Sequence, residues 1–290
     1  MMITIANEIL AVQISPKGAE LQGIQRKDNQ LEYLWSGDAA FWGKKSPVLF
    51  PIVGGLKNNQ YRFEGKTYEL GRHGFARDRE FEVAEQTPHS ATFILTDDAD
   101  TLQRYPFPFT LGIRYEVHDA TLSVKYTVQN TGERAMYFSV GAHPAFRVPL
   151  AEGTDYSDYH LHFNNTENAG LWPLSPEGQI QDQPVAFFDN TQELPLTKEL
   201  FYKDALVFKH IASNSISIRS DKTPHGLELR FPGFPYMGIW AAKDADFVCI
   251  EPWCGIADAV NASGELQEKE GIIELAPEGI FQREWSAIFF

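Results

Sequence analysis

The sequence is poor in cysteine and in long apolar runs, and each shortage excludes a class of protein. Its 290 residues include two cysteines, Cys249 and Cys254, whose spacing fits neither a disulfide framework nor a zinc quartet. No apolar run approaches the roughly 20 residues that cross a bilayer. No basic segment leads into an apolar stretch at the N-terminus, as a signal peptide would require. We therefore expect a soluble cytoplasmic protein.

Positive charge is also scarce. The 25 Lys and Arg residues are outnumbered by 39 Asp and Glu residues, and the net charge is −14. Nucleic acids and anionic membrane surfaces bind clusters of cationic side chains, so we expect neither as a partner. The motifs GxxxxGK[ST], GxGxxG and GxSxG are absent, so the sequence gives no support for nucleotide binding or esterase chemistry.

What the chain has in abundance is strand patterning and aromatic residues, which make up 13% of the sequence. Apolar residues alternate with polar ones across Phe109–Asn130, on both sides of a turn, which predicts an antiparallel hairpin. A second hairpin is predicted at Tyr61–Tyr68. The helical patterns are few and short: Asp38–Gly43, Asp98–Gln103 and Thr197–Phe201. We therefore predict an all-β fold, an antiparallel sandwich or barrel, as one domain spanning residues 1–290.

Two histidines lie at strand ends among glycine or proline, where loops commonly present functional groups. His73 follows the second hairpin, within Gly71–Arg77, and His143 follows a predicted strand, within Gly141–Phe146. A histidine titrates near neutral pH, so each can serve as a general acid or base. The alternative is a turn residue bonded to nearby backbone.

A third cluster follows the predicted strand Phe247–Ile250. Trp253 is either a stacking platform for a sugar ring or a cap on the core, and Glu251 is either catalytic or bonded to loop amides. His160 and His162 share one face of a possible strand, but no third ligand is marked by spacing. We therefore predict no metal site.

These segments resemble the aldose 1-epimerase family, the galactose mutarotase-like proteins, over nearly the whole chain. The motifs that carry the resemblance, in chain order, are Gly18-Ala-Glu-Leu21, Pro47-Val-Leu-Phe-Pro-Ile-Val-Gly54, His73-Gly-Phe-Ala-Arg77, Gly141-Ala-His-Pro-Ala-Phe146, Asp204-Ala-Leu-Val-Phe208, Gly238-Ile-Trp240, Glu251-Pro-Trp253 and Leu275-Ala-Pro277. The resemblance implies a large antiparallel β-sandwich, a supersandwich, with its site in a cleft. It implies interconversion of the α and β anomers of a hexose, a small-molecule sugar, without a cofactor.

The resemblance also implies residue roles. His143 matches the histidine that protonates the ring oxygen, and the base that removes the C1 hydroxyl proton is a glutamate near the C-terminus, here Glu278. The resemblance implies four substrate-binding positions: His73, Arg77, Asp204 and Trp253. In this interpretation His73 orients the sugar, and Arg77 anchors the site or an anionic substituent. Asp204 bonds sugar hydroxyls, and Trp253 lines the pocket.

Two positions depart from the family pattern. Relatives usually carry an arginine where this chain has Gly55, and they read Pro-Gly-Glu where this chain reads Pro277-Glu278-Gly279. Two alternatives therefore stay open: a catalytically weak or inactive sugar-binding protein of the same fold, and an epimerase of hexose 6-phosphates, which Arg72 and Arg77 would favour. The apolar last strand, Glu284–Phe290, pairs into the sheet or contacts a second copy, so the sequence leaves monomer and homodimer open.

Overall fold

Strands dominate the structure, as the alternating sequence pattern predicts. The computed structural model of the protein describes residues 1–290, and these form 21 β-strands, one α-helix and a few single turns of 3-10 helix. All strand pairs in the sheets are antiparallel, which confirms the prediction of an all-β, antiparallel fold. The helix, α1 (Ala99–Arg104), has six residues. No helix has the length and apolar character needed to cross a membrane.

The largest sheet has nine strands. In spatial order they are β14 (Thr191–Pro195), β13 (Tyr159–Glu167), β16 (Ser215–Ser220), β17 (Thr223–Arg230), β21 (Ile280–Phe289), β9 (Thr121–Asn130), β8 (Phe109–His118), β7 (Ser90–Thr96) and β6 (Glu82–Gln86). The apolar last strand β21 lies between β17 and β9, so it is internal to the sheet and both of its edges are paired.

A second sheet of five strands carries most of the residues discussed below. Its spatial order is β11 (Val140–Gly141), β19 (Phe247–Cys254), β18 (Tyr236–Trp240) and β15 (Leu206–Lys209), and β12 (Ala145–Arg147) also pairs with β19. The smaller sheets are formed by β1 (Ile3–Ala6), β2 (Leu10–Ser15) and β3 (Glu20–Arg26), by β4 (Gln60–Phe63) and β5 (Lys66–Glu69), and by β10 (Met136–Phe138) and β20 (Ile273–Leu275).

Both predicted hairpins are confirmed. Strands β8 and β9 pair from Phe109 opposite Asn130 to His118 opposite Thr121. Their turn contains Asp119 at φ 48°, a left-handed conformation that Asp tolerates better than most residues. Strands β4 and β5 turn at Gly65, also at positive φ. Alternating buried and half-buried residues along β9 give this hairpin one face toward the core.

Other predicted elements differ in detail. The strand pattern over Thr4–Ile14 is split into β1 and β2, because the Asn7 side chain accepts hydrogen bonds from the Ile9 and Leu10 amides and turns the chain. The segment Asp38–Gly43 forms turns rather than a helix. At α1, Asp98 and Thr101 form the reciprocal side-chain bonds of a capping box, so this short helix is defined by its cap.

The main apolar core contains 73 buried residues from the nine-stranded sheet and the smaller sheets, and a separate cluster of eight buried residues includes Trp253. Phe138 of β10 meets Phe281 of β21 edge to face, with ring centroids 5.5 Å apart. At the other end, Phe188 lies between Phe163 of β13 and Phe208 of β15, 5.0 Å from each. Most of the aromatic residues therefore serve packing.

Candidate active site

A cavity of about 560 Å³ opens over the five-stranded sheet. Its floor is formed by side chains of β15, β18 and β19, and its rim by loops that precede or connect strands. The charged and histidine residues that line it are Arg72, His73, Arg77, His143, Lys203, Asp204 and Glu251, and its tryptophans are Trp42, Trp240 and Trp253. Five residues expected at the site from sequence therefore lie in one cavity: His73, Arg77, His143, Asp204 and Trp253.

Strand register places His143 opposite Glu251. Strand β11 pairs Gly141 with Trp253, and β12 pairs Ala145 with Cys249, so the three residues between them face the three central residues of β19. In an antiparallel pair, directly opposed residues point to the same face of the sheet. The backbone ladder therefore brings the imidazole and the carboxyl together.

The two side chains form a buried contact. The His143 Nε2 atom lies 3.2 Å from Glu251 Oε2, and the residues are 8% and 1% exposed. The His143 Nδ1, Glu251 Oε2 and Trp253 Nε1 atoms are buried without a hydrogen-bond partner in the structure, so the 3.2 Å approach is a close contact and not a hydrogen bond. Buried polar atoms are usually paired, so this group of free donors and acceptors is typical of a site that completes its hydrogen bonds with a ligand.

Burial sets the protonation of this pair. It raises the pKa of the Glu251 carboxyl well above its usual range and lowers the pKa of His143 to about 3, with Arg77 and Arg72 contributing to the second shift. Both directions favour a neutral imidazole beside a protonated carboxyl, because separated charges are costly in a dry environment. The pair therefore rests with its one titratable proton on the Glu251 carboxyl.

His73 lies beside His143 in the cavity, and the backbone orients its imidazole. Its Nδ1 accepts a hydrogen bond from the Gly54 amide at 3.1 Å, and burial, with His143 and Arg77, holds its pKa well below the usual value. A neutral imidazole whose Nδ1 accepts must carry its hydrogen on Nε2. His73 is thus a hydrogen-bond donor of fixed tautomer. Its own backbone is left-handed, at φ 67°.

Aromatic rings restrict the position of His143. Trp42 stacks on its imidazole with centroids 4.9 Å apart and an interplanar angle of 27°. Trp240 and His73 meet it edge to face, at 5.7 Å and 5.6 Å. Both tryptophans line the cavity, and the sequence assigned neither of them a role there. Trp42 lies in the segment predicted to be helical, and Trp240 ends the motif Gly238-Ile-Trp240, which was used for the family resemblance alone.

Asp204 lies on the rim in a strained conformation. Its φ of 119° is a region that residues with a Cβ rarely adopt, and its Oδ1 accepts a hydrogen bond from the Ala205 amide at 2.7 Å. Strain of this kind persists where surrounding structure imposes it, and such positions cluster at functional sites. Tyr202 and Lys203, directly before it, extend the same rim.

Trp253 is placed differently from the expectation. The segment Glu251–Trp253 was expected to lead from a strand into a loop, but β19 continues through Cys254, and Trp253 is 6% exposed. Its ring fits against two glycines: a Cβ on Gly238 would overlap the indole, and one on Gly141 would lie 2.8 Å from it. Trp253 therefore forms part of the cavity floor and is not an exposed platform.

Glu278 does not reach the cavity. It is exposed in the turn between β20 and β21, at φ 62°, where its amide donates to the Asn130 carbonyl. The turn closes the β9–β21 pairing in the other sheet, so the swapped order of Glu278 and Gly279 does not turn the carboxylate toward His143. The assignment of Glu278 as the base is corrected here: the carboxyl that contacts His143 is Glu251.

One group in the structure could hold a metal ion. His143, Cys249 and Glu251 each offer a ligand atom, and these atoms lie within 4.8 Å of one another. However, burial and the neighbouring Glu251 raise the pKa of the Cys249 thiol well above its usual value. A thiol binds metal as the thiolate, so this environment favours the neutral cysteine over a ligand.

The family model of aldose 1-epimerases matches residues 1–277 of this sequence. The chain belongs to the aldose 1-epimerase family. The resemblance noted in the sequence motifs is therefore confirmed.

Relatives of this family member match along their whole length. The chromosomal LacX protein of Lactococcus lactis subsp. lactis is 34% identical over 286 residues, covering 96% of this chain and 95% of LacX. The galactose mutarotase related enzyme of Lactobacillus acidophilus is 36% identical, with a TM-score of 0.94 and coverage of 100% of this chain and 97% of the other. A galactose mutarotase-like protein of Lactobacillus casei is 31% identical, with a TM-score of 0.93 and full coverage of both.

Proposed function

We propose that this aldose 1-epimerase family member interconverts the anomers of a hexose, with His143 and Glu251 as its acid/base pair. The observation that carries the proposal is the buried contact of 3.2 Å between His143 Nε2 and Glu251 Oε2, within a cavity large enough for a monosaccharide. Anomer exchange needs one proton delivered to the ring oxygen and one removed from the C1 hydroxyl. Both oxygens are bonded to C1, so two adjacent proton-transfer groups can serve them together.

The proposed reaction conserves protons within the pair. Sugar hydroxyls that donate to Glu251 stabilise its ionised form, and the proton moves to His143. His143 then donates that proton to the ring oxygen as the C1–O5 bond breaks, while Glu251 accepts the C1 hydroxyl proton. The open-chain aldehyde rotates about its C1–C2 bond, and the two transfers run in reverse as the ring closes. Each positioned proton transfer contributes about 10²–10⁴-fold.

The remaining cavity residues are proposed to bind the sugar. His73 presents an Nε2 hydrogen as a donor, while the Asp204 carboxylate accepts from hydroxyls on the rim. Trp253 offers an aromatic surface on the floor, against which the C–H face of a sugar ring can pack. Arg77 is anchored by a bond from its Nη2 to the Arg72 carbonyl at 3.0 Å, and its charge acts on both histidines.

A second candidate is an epimerase of a phosphorylated hexose. Three cations, Arg72, Arg77 and Lys203, line the cavity against two carboxyl groups, Asp204 and Glu251. This local balance is opposite in sign to the chain as a whole, where acidic residues outnumber basic ones. A cation-rich cavity in an acidic protein favours anionic ligands.

Polarimetry tests the proposal. Fresh α-D-glucose and α-D-galactose, each with and without a 6-phosphate, are followed by the decay of optical rotation. We expect the protein to accelerate the decay of at least one sugar, and His143→Ala to abolish the acceleration. His160→Ala, outside the cavity on β13, is the matched control and should retain it. If the optical rotation of no sugar decays faster than in buffer but calorimetry detects binding, the protein is a sugar-binding member of the family.

A further inference from the structure

Arg72 is a cavity cation without an acidic partner. No carboxylate lies within salt-bridge distance of its guanidinium, and its side chain makes no hydrogen bond, whereas Arg77 next to it lies near Asp78. A guanidinium offers five N–H donors in a planar fork. All five are therefore available to a ligand in the cavity.

Two glycines, Gly178 and Gly55, lie next to the Arg72 side chain. A Cβ on Gly178 would overlap Arg72 Nη2 and lie 2.9 Å from Cζ. A Cβ on Gly55 would lie 3.9 Å from Arg72 Nε. The Arg72 guanidinium thus occupies the space that a side chain at position 178 would enter, and it lies at ordinary contact distance from a side chain at position 55.

The loop that contacts the exposed Arg72 side chain is fixed by backbone hydrogen bonds. The Gly178 amide donates to the Ser175 carbonyl at 2.8 Å, and Gly178 has a φ of 79°, which suits glycine. Two residues later, the Ile180 amide donates to the Asp258 carbonyl at 2.9 Å. Because these backbone bonds fix the loop, the guanidinium is held against a defined surface and its orientation is restricted.

Arg72 also lies close to His143 and Glu251, the proposed acid/base pair. It directly precedes His73, and its charge contributes to the lowered pKa of His143 and opposes the rise in the pKa of Glu251. Arg72 is exposed and makes no ion pair, so its guanidinium is free to bind a ligand that enters the cavity. The planar guanidinium donates best to two neighbouring oxygen atoms, through two parallel hydrogen bonds.

We propose that Arg72 is a substrate-binding residue whose guanidinium, held between Gly55 and Gly178, donates to two neighbouring oxygens of the sugar. The oxygens belong either to vicinal hydroxyls or to an oxyanion substituent, which share this geometry. The inference rests on the proposed function for the identity of the ligand. It makes Arg72 a determinant of binding, with the proton transfers left to His143 and Glu251.

Three variants test the inference: Arg72→Gln, Gly178→Ala, and Arg72→Gln combined with Gly55→Arg. Arg230→Gln, a surface arginine on β17 paired with Glu228, is the matched control. The probes are D-galactose and D-galactose 6-phosphate, the assays are polarimetry for kcat and KM and calorimetry for Kd, and circular dichroism checks folding. We expect Arg72→Gln to raise KM and Kd about 10- to 100-fold, with kcat within about threefold of the wild type.

Gly178→Ala should act in the same direction although Arg72 is still present, because the added methyl displaces the guanidinium. Gly55→Arg should recover at least about tenfold of the loss, since its side chain enters the same space. If Arg72→Gln weakens binding of the phosphorylated sugar more than binding of galactose, the guanidinium binds an oxyanion. If it weakens binding of both sugars equally, the guanidinium binds hydroxyls. Unchanged KM and Kd in Arg72→Gln overturn the inference while leaving the proposed function intact. A wild type that neither binds nor converts either probe overturns both.

Discussion

Replacing Glu251 with glutamine separates the proposed proton-transfer role of this residue from its structural role. Glutamine keeps the volume and polarity of a carboxyl that is 1% exposed, but it cannot exchange a proton with His143 3.2 Å away. Losing one positioned proton transfer should lower kcat by about 10²–10⁴-fold, equivalent to about 3–5 kcal/mol in the barrier.

Stability should change little in the same variant. Because burial raises the pKa of Glu251, the resting carboxyl is neutral, and a neutral amide replaces it without removing a charge. A change of about 1 kcal/mol would move Tm by only about 2–4 °C. Polarimetry gives kcat and calorimetric unfolding gives Tm for the same preparation.

Glu278→Gln is the informative comparison, because it alters the carboxylate that the family resemblance indicated. Glu278 is exposed and lies in a turn outside the cavity, so we expect kcat to stay within about twofold of the wild type. The reverse result, a slow Glu278→Gln beside a fully active Glu251→Gln, would refute the assignment of the base.

Two further predictions concern pH and packing. We expect kcat/KM to stay level between about pH 7 and pH 5, because a second proton enters the pair only near the lowered pKa of His143, about 3; a fall centred near the usual histidine pKa would contradict the buried-pair description. We also expect Gly238→Ala to lower the free energy of unfolding by about 1–3 kcal/mol, because its Cβ would overlap the Trp253 ring. Gly71→Ala, whose Cβ would meet nothing within 4 Å, is the control in denaturant titration and should leave stability unchanged.

Local sequence patterns were enough to predict the strands but not all of the site. The hairpin Phe109–Asn130 is visible because alternation and a turn lie within 22 consecutive residues. The histidines are visible because glycine and proline mark the strand ends that carry them. Both signals are local, so they require no knowledge of which strands are neighbours.

The carboxyl that contacts His143 was not found from the sequence, because that contact depends on a long-range strand pairing. Glu251 contacts His143 only because β19 pairs with β11 and β12, more than 100 residues away along the chain. No local pattern gives that register. Arg72 was noted as a charge beside His73, but its position over Gly55 depends on the loop at Gly178, which is distant in sequence. Trp42 was hidden in a segment that forms only turns.

The division of the cavity between strands and loops has a consequence for how such proteins diversify. Glu251 lies on β19, and His143 is held in the short segment between β11 and β12, which both pair with β19, whereas Trp42, Arg72, Gly178 and Asp204 lie outside these strands. Loops tolerate substitution and insertion better than paired strands. Changes in these rim segments can therefore alter which ligand the cavity accepts without disturbing the strand register that holds His143 beside Glu251.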